Sequence, residues 1–392
     1  MLRADSWNGL RSSVTSVGDV DGDGVADVAV ASRDRERPER VWILSGRDGA
    51  VRIVISGSAH HGRFGSEFVP AGDWNGDGVP DVVILAGPAA SFDFASRTSG
   101  RRTVHSGRDG SVLHELDSLG AVAGGRDLDG DGCTELALWS DGELRLVSPR
   151  GERRITSTPP TVGNRCDALV WTGDVDRDGA PDLVGFALST NAERDRAPLA
   201  AGRLTAGSSA SGTTLWSADV HGRYPADSAI LRTVDFDRDG ERDVVLGLED
   251  EAVRVFRGRD GAVLLTVADA WDAILTAWCS SMDVIDDRDG DGVDDLIVGA
   301  HETAGQFFDE GSVSVIALPR GTTRTVVAGD ECFGFDVCAL GDVNGDGVPD
   351  FAVGAERERA WTPDEGSEPA VQMRSGKDAS IRWMKRHVDL RK

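Results

Sequence analysis

Residues 18–27 read GDVDGDGVAD, which places four carboxylates, Asp19, Asp21, Asp23 and Asp27, within nine positions and sets glycines among them. The same template, D-x-[DN]-x-D-G-x-x-[DE], returns at Asp73 (DWNGDGVPD), Asp127 (DLDGDGCTE), Asp174 (DVDRDGAPD), Asp235 (DFDRDGERD), Asp287 (DRDGDGVDD) and Asp342 (DVNGDGVPD). Seven copies, 47 to 61 residues apart, cover almost all of the 392-residue chain. Self-similarity at such a spacing marks a repeat architecture, in which each unit buries its faces against its neighbours.

The segments between the copies repeat as well. A short apolar run comes directly after each loop: VAVA at 28, VVILAG at 82, LALW at 136, LVGFAL at 183, VVLGL at 244, LIVGA at 296 and FAVGA at 351. Such runs, rich in Val, Ile and Leu, read as strands covered on both faces. A variable polar stretch leads to another strand such as VWILSG, then to a tight turn, GRDG at 46, 107 and 258 or GKDA at 376, and to a closing strand such as VRIVIS. With the strand before the acidic loop, each unit has four antiparallel strands. The predicted fold is an all-β, seven-bladed β-propeller with the acidic loops between first and second strands. One domain spans 1–392, its blades near 8–57, 58–117, 118–160, 161–219, 220–269, 270–329 and 330–387. The last strand, near Ile381 to Lys385, completes the seventh blade from its own sequence, with no strand exchanged between the termini.

The acidic loop offers oxygens to a hard cation. Positions 1, 3 and 5 supply side chains, position 7 its backbone carbonyl and position 9 a final carboxylate. The expected ligands are Asp19, Asp21, Asp23, Val25 and Asp27; Asp73, Asn75, Asp77, Val79 and Asp81; Asp127, Asp129, Asp131, Cys133 and Glu135; Asp174, Asp176, Asp178, Ala180 and Asp182. The last three sets are Asp235, Asp237, Asp239, Glu241 and Asp243; Asp287, Asp289, Asp291, Val293 and Asp295; Asp342, Asn344, Asp346, Val348 and Asp350. Position 6 is glycine in all seven, where the chain must turn sharply. An EF-hand is excluded, because its bidentate Glu at position 12 is replaced by Val30, Ile84, Leu138, Gly185, Leu246, Val298 and Val353. Unneutralised carboxylates this close repel one another, and calcium suits the site better than magnesium, which demands a stricter octahedron. Arg177 and Arg238 at position 4 and Arg288 at position 2 are expected to weaken their loops, so seven ions is an upper count. A site with a dissociation constant of ~0.1 mM at ~1 mM calcium contributes roughly 1.4 kcal/mol, and several together approach the margin of a whole domain. The ions are read as structural.

Composition narrows the partners. With 67 acidic against 42 basic residues, the net charge is −25, which argues against nucleic acid and anionic membranes. No apolar run is long enough to span a bilayer, and the first residues show no signal-peptide core. Five cysteines leave at least one outside any intrachain pairing, and most read as small buried residues.

These features resemble the FG-GAP repeats of the integrin α-chain N-terminal propeller and its bacterial relatives. Phe64-Gly65 and Phe333-Gly334 stand nine residues before their loops, and AGP at 86 and VGA at 298 and 353 occupy the GAP position; Trp278-Cys279 replaces FG in the sixth unit. The resemblance covers residues 10–386. It implies calcium on one face of the ring, a partner on the opposite face, and an extracytoplasmic adhesion module, secreted, periplasmic or on the cell surface. Receptor signalling is not implied, because leg domains and a membrane span are missing. The chain is expected to act as a monomer or as part of a larger surface protein.

Strand order puts the second-to-third loops and the blade-to-blade connections on the face away from the acidic loops. That face gathers His60, His61, Arg63, Phe92, Phe94, His221, Arg223, Tyr224, Trp271, Phe307, Phe308 and Trp361, an aromatic and basic set suited to a protein or glycan ligand. No catalytic residue is identified, since no nucleophile-elbow, zinc-helix or phosphate-loop pattern occurs. The reading is a non-catalytic binding module; the alternative is a glycan-acting lyase or hydrolase with its site at the central mouth.

Overall fold

The computed structural model describes residues 12–32, 40–57, 64–86, 101–116, 120–140, 143–155, 166–188, 200–221, 229–248, 252–268, 278–303, 310–330, 333–354, 369–386 and 390. Among them, all 28 regular elements are strands, arranged in seven sheets of four consecutive antiparallel strands. Blade 1 is β1 (Ser12–Gly18), β2 (Asp27–Ser32), β3 (Arg40–Leu44) and β4 (Val51–Ser56). The first strands of the other blades are β5 (Phe64–Gly72), β9 (Ala121–Arg126), β13 (Ala168–Trp171), β17 (Ala229–Val234), β21 (Trp278–Ile285) and β25 (Asp336–Gly341). These first strands touch in order around the molecule, and β25 returns to β1, so the sheets close into a seven-bladed propeller with the first strands innermost.

Burial tracks radius. Second strands are enclosed on both faces, as in Asp81–Ala86 and Asp243–Leu248, where every residue is buried. Fourth strands form the rim and expose Val51, Val112, Val263 and Ile381. The core is divided into seven apolar clusters, one in each seam between successive blades. The residues that exclude an EF-hand, Val30, Ile84, Leu138, Leu246, Val298 and Val353, all lie in these clusters or in the buried second strands.

The seam between blades 7 and 1 closes through side chains. Val14 and Trp42 pack with Leu340 and Met373, the Val14 N–H donates to Asp336 Oδ2 at 2.9 Å, and Trp383 Nε1–H donates to the Gly46 carbonyl at 2.7 Å. Among the described residues no strand crosses this seam; β25 and the rim strand β28 (Ile381–Arg386) belong to the same contiguous sheet. On the inner wall, Arg232 Nε meets Asp283 Oδ1 at 2.9 Å and Asp283 Oδ2 accepts the Ala339 N–H at 3.0 Å. Burial pushes the Asp336 carboxyl up to about 7, against the opposing pull of the Val14 N–H and Arg232.

The degenerate sixth unit has a backbone explanation. Gly65 and Gly334 adopt φ of 80° and 84°, and Cys279 holds the equivalent left-handed conformation at φ 60°. A Cβ on Gly65 would lie 2.5 Å from Ala31 Cβ, which is why glycine is favoured there. Cys133, Cys166, Cys279 and Cys338 are buried thiols that form no disulfide among the described residues; Cys332 lies outside the described residues.

Candidate metal centres

Each acidic loop folds around its own backbone N–H groups. In all seven, the position-6 glycine has φ between 82° and 93° and donates its N–H to the position-1 carboxylate, as Gly24 does to Asp19 Oδ2 at 2.7 Å and Gly347 to Asp342 Oδ2 at 2.8 Å. The position-7 residues, Val25, Val79, Cys133, Ala180, Glu241, Val293 and Val348, each donate an N–H to the position-5 Oδ1. Position 9 ties the loop to the rest of the blade. Asp27 accepts the Val20 N–H on Oδ2 at 2.8 Å and the Gly46 N–H on Oδ1 at 3.0 Å, which anchors the first turn to the third. The pattern holds for Asp81, Asp182, Asp243, Asp295 and Asp350. In blade 3 the matching turn residue is Pro149, which has no N–H, and the acid is the longer Glu135.

These bonds converge the free carboxylate oxygens. Ligand atoms within 4.8 Å of one another come from Asp19, Asp21 and Asp27; Asp127, Asp129 and Glu135; Asp174, Asp176 and Asp182; Asp235, Asp237 and Asp239; and Asp287, Asp289 and Asp291. The loops at Asp73 and Asp342 carry Asn75 and Asn344 at position 3, so they hold one carboxylate fewer. Burial, opposed by backbone N–H groups and reinforced by neighbouring aspartates, pushes Asp27, Asp81, Asp182 and Asp295 up to about 6. Backbone N–H groups hold Asp287 and Asp342 below the usual range, those of Gly292 and Gly347 foremost. The donor set is oxygen only, and Asp235 Oδ1 is buried with no hydrogen-bond partner. An anionic oxygen without a donor, beside two further carboxylates, fits a hard divalent cation.

Two structural roles escape the template. Position 2 is a wedge: Val20, Trp74, Leu128, Val175, Phe236 and Val343 each pack into the seam toward the next blade. Its apolar character in six of seven copies is the signal that identifies it. Arg288 fills the same place at the seam of blades 6 and 7, where its guanidinium donates to the Gly376 carbonyl. Arg238 donates to the Asp291 carbonyl of the next loop. The guanidinium groups of Arg238 and Arg288 therefore donate hydrogen bonds to the adjoining blade. The second unforeseen feature is a cation in the third turn, which reaches back over the loop of its own blade, as Arg47 does to Asp23.

The ligand-face set His60, His61, Arg63, Phe92, Phe94, Arg223, Tyr224, Trp271, Phe307, Phe308 and Trp361 lies outside the described residues. His221 is described and is exposed at the end of its strand. No helix among the described residues is long and apolar enough to cross a membrane.

A closed ring of seven four-stranded blades with an acidic loop at the same corner of each defines a repeat propeller. Residues 19–84 and 127–185 match the FG-GAP-like repeat and residues 333–367 the FG-GAP repeat. The chain is 27% identical to integrin alpha-IIb of Homo sapiens over 38% of its length and 17% of that protein's. It is 40% identical to integrin alpha-PS2 of Drosophila melanogaster over 18% of its length and 6% of the relative's. With integrin alpha pat-2 of Caenorhabditis briggsae the figures are 28%, 24% and 9%. The chain therefore carries FG-GAP repeats and is similar to the β-propellers of integrin α chains. Its matches span less than a fifth of the length of these curated relatives.

Proposed function

We propose that the chain is a non-catalytic binding module in which calcium, in up to seven loops, is structural, and which engages a protein or glycan in an extracytoplasmic setting. The observation that carries the reading is the convergence of carboxylates at the same corner of the blades, with a buried, unpartnered oxygen at Asp235. In each loop, positions 1, 3, 5 and 9 would hold the ion, with the position-7 carbonyl as a further ligand. The ion would supply the positive charge that these carboxylates otherwise lack, and it would tie the first turn of the blade to the third through position 9. The FG-GAP repeats and the similarity to integrin α chains support an adhesive role. The ligand is expected on the face opposite the loops, away from the acidic corners.

Thermal unfolding with millimolar calcium and with chelator tests the metal. Several sites acting together raise the midpoint by roughly 10 °C or more; a shift of under about 2 °C removes calcium from the account. A glycan and protein binding array, with a turnover assay on each hit, tests the rest. Binding without product is the expected result, and product formation refutes the non-catalytic reading.

A further inference from the structure

The third turn of the blade carries a cation at one fixed place in five of seven repeats, Arg47, Arg108, Arg150, Arg259 and Lys377; blade 4 has Ala210 there, and blade 6 has Pro319 with Arg320 one residue later. In blades 1 and 2 the geometry is repeated closely. Arg47 Nε donates to Asp23 Oδ2 at 2.8 Å and its Nη2 to the Asp23 carbonyl at 2.6 Å. Arg108 does the same to Asp77, at 3.1 Å and 2.7 Å. Arg150 Nη1 lies 2.5 Å from Asp131 Oδ2 and its Nη2 donates to the Asp131 carbonyl at 3.4 Å. In blade 6, Arg320 Nη1 is 2.6 Å from Asp289 Oδ2 and its Nη2 is 3.8 Å from Asp291 Oδ2. Blade 4, without the cation, offers only the Ser208 hydroxyl, 3.3 Å from Asp178 Oδ2.

We propose that this third-turn arginine is a built-in counter-charge to the loop, which supports the fold when calcium is scarce and lowers the affinity with which calcium binds. The inference rests on the calcium reading of the loops. Its physical basis is competition for one carboxylate. The position-5 aspartate that would serve the ion already shares its outer oxygen with a guanidinium, so two cations are held on one anionic group and repel each other. The arginine therefore stabilises the calcium-free loop more than the loaded one. A charge about 5 Å from a divalent ion in well-solvated surroundings weakens its binding roughly threefold to tenfold at physiological salt. The forked contact to carboxylate and carbonyl fixes the guanidinium in place, but the effect on affinity comes from the charge.

Loop 2 allows a site-specific test, because Trp74 sits at its second position, beside Asp73. Terbium(III), a hard trivalent probe for calcium sites, would be excited through that indole in the full-length chain and then displaced with calcium. The part of the luminescence lost in Trp74→Phe reports loop 2. Arg108→Gln is expected to bind calcium roughly threefold to tenfold more tightly at loop 2 and to unfold at lower temperature in chelator. Arg108→Lys, which keeps the charge, is expected to stay within about twofold of the parent. The gap between parent and Arg108→Gln should narrow as salt is raised. If the parent binds calcium and Arg108→Gln binds it equally or more weakly, the counter-charge inference is overturned while the calcium reading stands. If the parent shows no calcium-displaceable signal, both fall.

Discussion

Trp74 provides the sharpest test of how loop and ring are joined. It belongs to the acidic loop, yet it is only 3% exposed and packs with Val122, Leu136 and Leu138 of the next blade. Burying an indole removes about 200 Å² from water, worth about 5 kcal/mol at ~25 cal/mol/Å² and an upper bound for the folded state. Against this, its Nε1–H is buried with no acceptor, which costs about 1–3 kcal/mol. The balance predicts that Trp74→Ala loses about 3 kcal/mol, at the low end of the usual range for truncating a buried aromatic. Trp74→Phe keeps most of the apolar contact and discards the unpartnered donor, so it stays within about 1 kcal/mol of the parent. Equilibrium denaturation of the full chain in saturating calcium, monitored by circular dichroism, measures both. A loss below about 1 kcal/mol for the alanine variant, or equal losses for the two, would refute the wedge role of position 2.

Ala379 holds φ 59° in the GKDA turn, where the equivalent residues Gly49, Gly110 and Gly261 lie between 68° and 76°. Ala379→Gly is therefore expected to stabilise by about 1 kcal/mol in thermal unfolding, the strain of a left-handed non-glycine residue being of that order. Asp336, pushed up to about 7 by burial at the seam of blades 7 and 1, sets a pH dependence whose sign is fixed. Its folded value lies above the ordinary carboxyl value, so its contribution is complete below about pH 4 and is lost as pH rises through about 7. Asp336→Asn, which keeps an acceptor for the Val14 N–H, should flatten that part of the stability profile between about pH 5 and 8, measured by denaturation in chelator; an unchanged slope would contradict the assignment.

Much of this architecture was legible because the acidic loop and the strand patterning repeat in register. The aspartates at positions 1, 3 and 5 and the glycine at position 6 announce a loop, and the apolar run after position 9 announces a strand enclosed on both sides. The wedge at position 2 was harder to read, since Val, Trp, Leu, Phe and Arg share no chemistry at a glance; only the seam gives them a common task. The third-turn arginine was hidden for a different reason. Its partner is 24 residues away in blade 1 and 31 in blade 2, and the pairing exists only after the sheet has brought first and third turns to one face. The hydrogen bonds of Arg238 and Arg288 to the adjoining blade likewise depend on side-chain direction, which spacing alone does not encode.

The closure of the seventh blade on the first by an indole, a carboxylate and apolar packing has a consequence for how such chains change. Every sheet is drawn from one uninterrupted stretch of sequence, so a segment encoding a blade is a self-sufficient cassette. Duplicating or excising one leaves every remaining strand with its own hydrogen-bonded partners and alters only the circumference that the neighbours must jointly span.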